Sequence, residues 1–201
     1  MGSSNDKINY NLRSSKSIER KMILDVLKEV CTPKISSSYQ YFGMGSAFFV
    51  DFKMFHKSLG INDMYSFEGK VSNVKRCDFN KPFNCIKVIP ERTTKGLSNI
   101  NWQKKSIVWL DYEDELKMWM LEDIDTICLN AKSGNVIIIT LRRSLDSMSS
   151  KSFNDIFSEN IETDVILDDM HKLNSPKLLQ KIFLSCNAYS IFSRLTTSTQ
   201  K

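Results

Sequence analysis

A chain of 201 residues is long enough for one domain with a sizeable core. Apolar residues make up 41% and charged residues 25%, a balance that excludes disorder of the whole chain. The charge excess is small, 28 Lys plus Arg against 23 Asp plus Glu for a net +5, so it permits contact with nucleic acid or an acidic ligand without arguing for either.

Cysteines stand at 31, 77, 85, 128 and 186, with no CxxC pair. An odd number at wide spacing suggests free thiols in a reducing compartment, not a zinc site or a disulfide framework. The polar start Met-Gly-Ser-Ser-Asn-Asp-Lys does not read as a signal peptide. The longest strongly apolar run, 136–141, is far below the roughly 20 residues that span a bilayer. The expectation is a soluble, cytoplasmic protein without membrane contact.

Residues 1–16 are polar and read as a flexible segment, followed by a single α/β domain over 17–201. The first helix is predicted over 17–30, where Ile18, Met22, Val26 and Val30 recur every fourth residue as an apolar stripe. Ser17 suits its cap, Glu19 its positive end, and Thr32-Pro33 its stop. The aromatic-rich run 38–42 predicts a strand that leads directly into Gly43-Met44-Gly45-Ser46. A second helix is predicted over 47–59, with Phe48, Phe52, Phe55 and Leu59 buried and Gly60 as the stop.

Strands follow at 64–67, ending at Glu68, and at 85–89, ended by Pro90. Between them, 69–81 carries a weak helical signal, and 91–103 reads as loop. The continuous apolar run 107–110 predicts a central strand covered on both faces and ended by Asp111-Tyr112. A helix over 115–131 turns Leu116, Met120, Ile124, Ile127 and Ala131 inward, Gly134 closes it, and 136–140 is the next buried strand. Beyond Arg143 the pattern loosens into a loop over 144–152 and a helical C-terminal extension centred on 176–192. Alternating short apolar strands and amphipathic helices predict a Rossmann-like, mostly parallel sheet flanked by helices, with ligands at the strand C-terminal ends. No antiparallel strands can be read after 140.

The chemistry concentrates at three strand ends. Gly43-x-Gly45 lies between a strand and a helix, where glycines let a ligand approach the backbone and the helix N-terminus attracts anions; a plain tight turn is the alternative. Glu68 lies 25 residues after Gly43, at the end of the second strand, where a carboxylate can accept from two ribose hydroxyls; a surface Glu is the alternative. Asp111 could hold or deprotonate a substrate group and Tyr112 could stack on a planar ring; Asp111 as a helix cap is the alternative. His56 reads as a core or rim histidine. The run Asp168-Asp169-Met170-His171 reads as solvated surface, so no metal is expected. Arg13, Lys16, Arg20 and Lys21 form a basic cluster, read as a solvated helix face, with weak nucleic-acid contact or contact with the anionic end of a ligand as the alternatives. Trp102, Trp109 and Trp119 are too scattered to predict a stacking platform.

Tyr41-Phe42-Gly43-Met44-Gly45-Ser46, Glu68 and Trp109-Leu110-Asp111-Tyr112 resemble motifs I, II and IV of class I S-adenosylmethionine-dependent methyltransferases. The stretch from Asn11-Leu12-Arg13 through Ser17–Met22 to Val108–Tyr112 is similar to bacterial O-methyltransferase-like proteins, some of them found in mobile or phage-defence gene clusters. The resemblance covers residues 11–143. It implies that Tyr41, Gly43, Gly45 and Ser46 line the methionine and ribose part of S-adenosylmethionine. It further implies that Glu68 holds the ribose hydroxyls, and that Asp111 and Tyr112 face a methyl acceptor it does not identify. Three features depart from the pattern: Tyr41 stands where an acid is usual, Ser46 or Ala47 replaces the third glycine, and the terminal antiparallel pair is not found. Those departures define the alternative, a catalytically inactive binding or regulatory subunit of a bacterial defence complex, associated with a neighbouring gene product or nucleic acid.

Overall fold

The computed structural model describes residues 14–31, 37–45, 47–112, 114 and 117–140. Five parallel strands form one sheet: β1 (Gln40–Gly43), β2 (Met64–Phe67), β3 (Ile86–Ile89), β4 (Ser106–Asp111) and β5 (Val136–Thr140). Their spatial order is β3-β2-β1-β4-β5. The helices are α1 (Ser14–Val30), α2 (Val50–Leu59), α3 (Val71–Asn80), the short α4 (Thr93–Gly96) and α5 (Met118–Asn130), with a 3-10 turn at Leu97–Asn99. This is the Rossmann-like α/β architecture that the alternation predicts.

Parallel strands need covered faces, and the side-chain period of two divides each strand between two helical layers. Tyr41, Ile107 and Trp109 face a cluster with Ile23, Leu24, Leu27, Phe52, Phe55 and Met64. Their neighbours Phe42, Val108 and Leu110 face the other side, against Leu97, Trp102, Met120 and Ile127. All four residues of β1 are buried, as are Ser106 to Leu110 of β4. The chain runs outward from β1 to β3, then returns to place β4 on the other side of β1. That reversal opens a crevice at the strand C-terminal ends.

The structure differs from the sequence reading at several elements. The apolar stripe of α1 stays outside: Ile18 is 59% and Met22 47% exposed, while Arg20, Ile23, Leu24 and Leu27 are buried. Spacing of three and four follows the 3.6-residue turn and holds one face toward the sheet. The helix also starts at Ser14, so Ser17 lies inside it. Helix α2 starts at Val50, not Ala47, because Phe49 takes a left-handed φ of 50° and fills the fully buried position assigned to Phe48. The segment 91–103 contains α4 and the 3-10 turn, anchored by Leu97 and by the Trp102 indole N–H donating to Leu97 O at 3.2 Å. Helix α5 starts at Met118, with Met120, Ile124 and Ile127 buried as predicted.

Two other expectations hold. Gly60 ends α2 at φ 70°, its N–H donating to His56 O at 3.1 Å. The weak signal over 69–81 is helix α3. Among the described residues no helix is long and apolar enough to cross a membrane, and Cys31, Cys77, Cys85 and Cys128 are free thiols. The predicted C-terminal helix, Cys186 and His171 lie outside the described residues.

Ile107 is fully buried at the middle of β4, between β1 and β5. Ile107→Ala should cost about 3 kcal/mol, as truncations in close-packed cores do. Urea unfolding of the natural and substituted chains measures this; a loss near zero would show that the site collapses around the gap.

Candidate active site

The crevice is a cleft of about 250 Å³ that runs across three strand ends. Phe67, Glu68 and Gly69 border it after β2, Met44 after β1, and Trp109, Asp111 and Tyr112 along β4. Val50 and Asp51 enter from the first turn of α2, Arg20 from α1, and Trp119 and Met120 from α5. Among the described residues the lining carries the carboxylates of Asp51, Glu68, Asp111 and Asp114 beside the Arg20 guanidinium.

The glycine turn is shaped from within the fold. A Cβ on Gly43 would lie 2.5 Å from the Tyr41 hydroxyl oxygen. One on Gly45 would lie 2.7 Å from the Phe49 ring and from Ser66 Oγ, which accepts the Gly45 N–H at 3.0 Å. Both glycines are thus required by close internal packing, and Met44 between them is the turn residue that borders the cleft. Ser46 lies outside the described residues.

Tyr41 is fully buried, and its hydroxyl donates to the Asp51 carboxylate. Phe52 and Phe55 meet its ring edge-on at 4.7 and 4.9 Å. Burial, then the neighbouring Asp51, push the phenol pKa well up. Burial also raises the Asp51 carboxyl to about 6, against lowering by the Tyr41 hydrogen bond and by Arg20. Nothing in the periodicity singled out Asp51. A carboxylate in the first turn of the helix after β1 is its one sequence signal, and it also suits the helix dipole.

Glu68 is half-buried and held at both oxygens. Oε1 accepts the Lys70 N–H at 2.8 Å, and Oε2 lies 3.6 Å from Cys77 Sγ. Asp111 lies beside α1, where Lys16 Nζ reaches Oδ1 at 2.8 Å and Glu19 at 3.2 Å. Glu19 also accepts from Thr140 Oγ1 at 3.3 Å, which in turn accepts the Trp109 indole N–H at 3.1 Å. Lys16 and Arg20 are therefore drawn in beside the strand ends and are not a solvated face; Lys21 is exposed. Arg13 lies outside the described residues.

Tyr112 is buried with its hydroxyl turned from the cleft, donating to Asp123 Oδ2 at 2.8 Å. Thr93 Oγ1 donates to the same oxygen. Burial raises the Tyr112 pKa further, with Asp123 adding to it. Tyr112 thus offers the cleft a ring edge packed against Trp119 at 5.1 Å, not a proton donor. The fold brings Trp109 and Trp119 to one cleft despite their separation in sequence, whereas Trp102 is buried elsewhere. His56 stays off the cleft, its Nδ1 2.9 Å from Ile61 O and its ring 4.1 Å from Phe83, as a rim histidine. Among the described residues no group of His, Cys, Asp or Glu could hold a metal.

Two outcomes follow. Gly45→Ala should destabilise the fold by about 1–3 kcal/mol, because the added methyl overlaps Phe49 and Ser66; thermal unfolding without ligand measures it. Asp51 is protonated in the folded chain and ionised in the unfolded one between its ordinary value of 3.8 and about 6, so its contribution to stability falls as pH rises through that window. Asp51→Asn should therefore gain stability relative to the natural chain from pH 4 to about 6 and hold a constant difference above. Urea titrations at several pH values check this, and a flat difference throughout would refute it.

The family model described as "Putative O-methyltransferase" matches residues 8–199. No curated protein matches the chain. The match covers nearly the whole sequence, including α1 and every strand of the sheet, and the chain belongs to this O-methyltransferase family.

Proposed function

We propose that the cleft binds S-adenosylmethionine and that the chain transfers a methyl group from it to a hydroxyl-bearing acceptor. The observation that carries this reading is Glu68. It is a half-buried carboxylate at the end of β2, facing the crevice at the point where strand order reverses. Its contacts with Lys70 and Cys77 fix its direction, and a carboxylate's four lone-pair sites leave capacity for a vicinal diol. The carboxylates along the cleft suit a cationic sulfonium, and its apolar side, Met44, Phe67, Trp119 and Met120, suits a nucleoside base. The residues present fit the cofactor.

When bound, S-adenosylmethionine supplies a methyl group already activated by its sulfonium, so the protein's part is alignment and exclusion of water. Lys16 fixes Asp111 at Oδ1 where β4 ends, and Asp111 accepts the hydrogen of the acceptor hydroxyl. Trp109, Trp119 and the Tyr112 ring form the apolar wall beside it. Asp123, taking both the Tyr112 and Thr93 hydroxyls, ties the ends of β3 and β4 to α5 and keeps that wall in place.

Calorimetry with S-adenosylmethionine and S-adenosylhomocysteine tests the reading. Glu68→Ala should weaken both about tenfold or more, the worth of charge-assisted hydrogen bonds to the ribose. Absence of binding by the full chain at millimolar ligand would sink the proposal. Binding without methyl transfer to any substrate pool would favour a regulatory subunit.

A further inference from the structure

The cleft has two chemically distinct ends. Glu68 and Gly69 mark the β2 end. Away from β2 in the chain, Arg20 of α1 and Asp51 of α2 both face the cleft, with Asp111 near enough to act electrostatically on Asp51. Arg20 is only 8% exposed, although it stands on a helix with ample exposed surface. Placing a guanidinium there costs free energy unless carboxylates surround it or a ligand compensates it. Asp111 is already paired with Lys16. Asp51 is oriented by the Tyr41 hydroxyl of β1.

We propose that Arg20 and Asp51 together recognise the zwitterion of an α-amino acid, Arg20 taking the carboxylate and Asp51 the ammonium, so that Asp51 supplies from α2 the acid that β1 lacks. The inference rests on the cofactor reading above and adds the residues that would hold its amino-acid end. A guanidinium fork matches a carboxylate in two parallel hydrogen bonds, and a carboxylate matches an ammonium. The two charges have opposite sign on neighbouring elements, as a zwitterion requires. Tyr41 is then a positioning residue: its phenol cannot replace the acid as an ammonium partner, but it fixes the carboxylate that does. The relocation also accounts for Gly43, since any Cβ there would displace the Tyr41 hydroxyl from Asp51.

The test compares two ligands by calorimetry on the full chain. S-adenosylhomocysteine carries the zwitterion; methylthioadenosine carries the same nucleoside and sulfur without it. The natural chain should bind S-adenosylhomocysteine at least about tenfold tighter, as expected of charge-assisted contacts. Arg20→Met and Asp51→Asn should each remove most of that advantage and leave methylthioadenosine affinity unchanged. Equal affinity of the natural chain for both ligands overturns the proposal while leaving the cofactor reading intact, and needs no variant to fold. Equal weakening of both ligands in the variants also overturns it, because it marks a structural role. Failure of S-adenosylhomocysteine to bind the natural chain overturns the cofactor reading and this proposal with it.

Discussion

The hydrogen bond from the Tyr41 hydroxyl to Asp51 is the constraint around which this site is organised. Tyr41 lies on the central strand, covered by β2 and β4 at its edges and by Phe52 and Phe55 across its ring. A phenol with no access to solvent needs a partner, or it forfeits a free energy of about 1–3 kcal/mol. Asp51 is that partner, and the consequences spread. Residue 43 must be glycine to let the side chain pass. Helix α2 must start so that Asp51 falls in its first turn, which the left-handed Phe49 achieves. Asp51 is half-buried and its charged form is disfavoured by burial, and the buried Arg20 of α1 works against that.

That chain of requirements explains why α1 belongs to the site although it precedes the sheet. Lys16, Glu19 and Arg20 each reach a different part of the strand ends: Asp111 of β4, Thr140 of β5, and the cleft beside Asp51. Isolated surface ion pairs contribute little to stability. These side chains are less than one-fifth exposed and share partners, so they act as a brace that fixes α1 across β4 and β5. The exposed stripe at Ile18 and Met22 is the face this brace leaves outward.

The sheet was legible because parallel strands buried on both faces must be continuous apolar runs. Residues 64–67 and 136–140 read at their observed bounds, and 107–110 within one residue at each end. The face of α1 was not legible, since periodicity reports an apolar stripe without saying what lies opposite it, and a buried Arg20 contradicts composition. Glu68 and Asp111 were legible as acids at strand ends, and both border the cleft. Asp51 was hidden because its role depends on Tyr41 ten residues earlier, a contact made by three-dimensional packing. Tyr112 was legible as a residue beside Asp111, and it borders the cleft; the partner of its hydroxyl, Asp123, was hidden because it is a helix residue with no distinguishing pattern around it.

The glycines carry the more general lesson. A GxG between strand and helix invites the argument that glycine lets a ligand approach the backbone. Here the space at Gly43 is taken by the Tyr41 side chain, and that at Gly45 by Phe49 and Ser66. The two accounts are compatible because they concern successive layers of the same turn. Close packing beneath the turn draws β1, β2 and the start of α2 together, and only then can Met44, Asp51 and Glu68 converge on one cleft. The motif acts through the geometry of its supports: what lies beneath the turn decides which side chains reach the cleft.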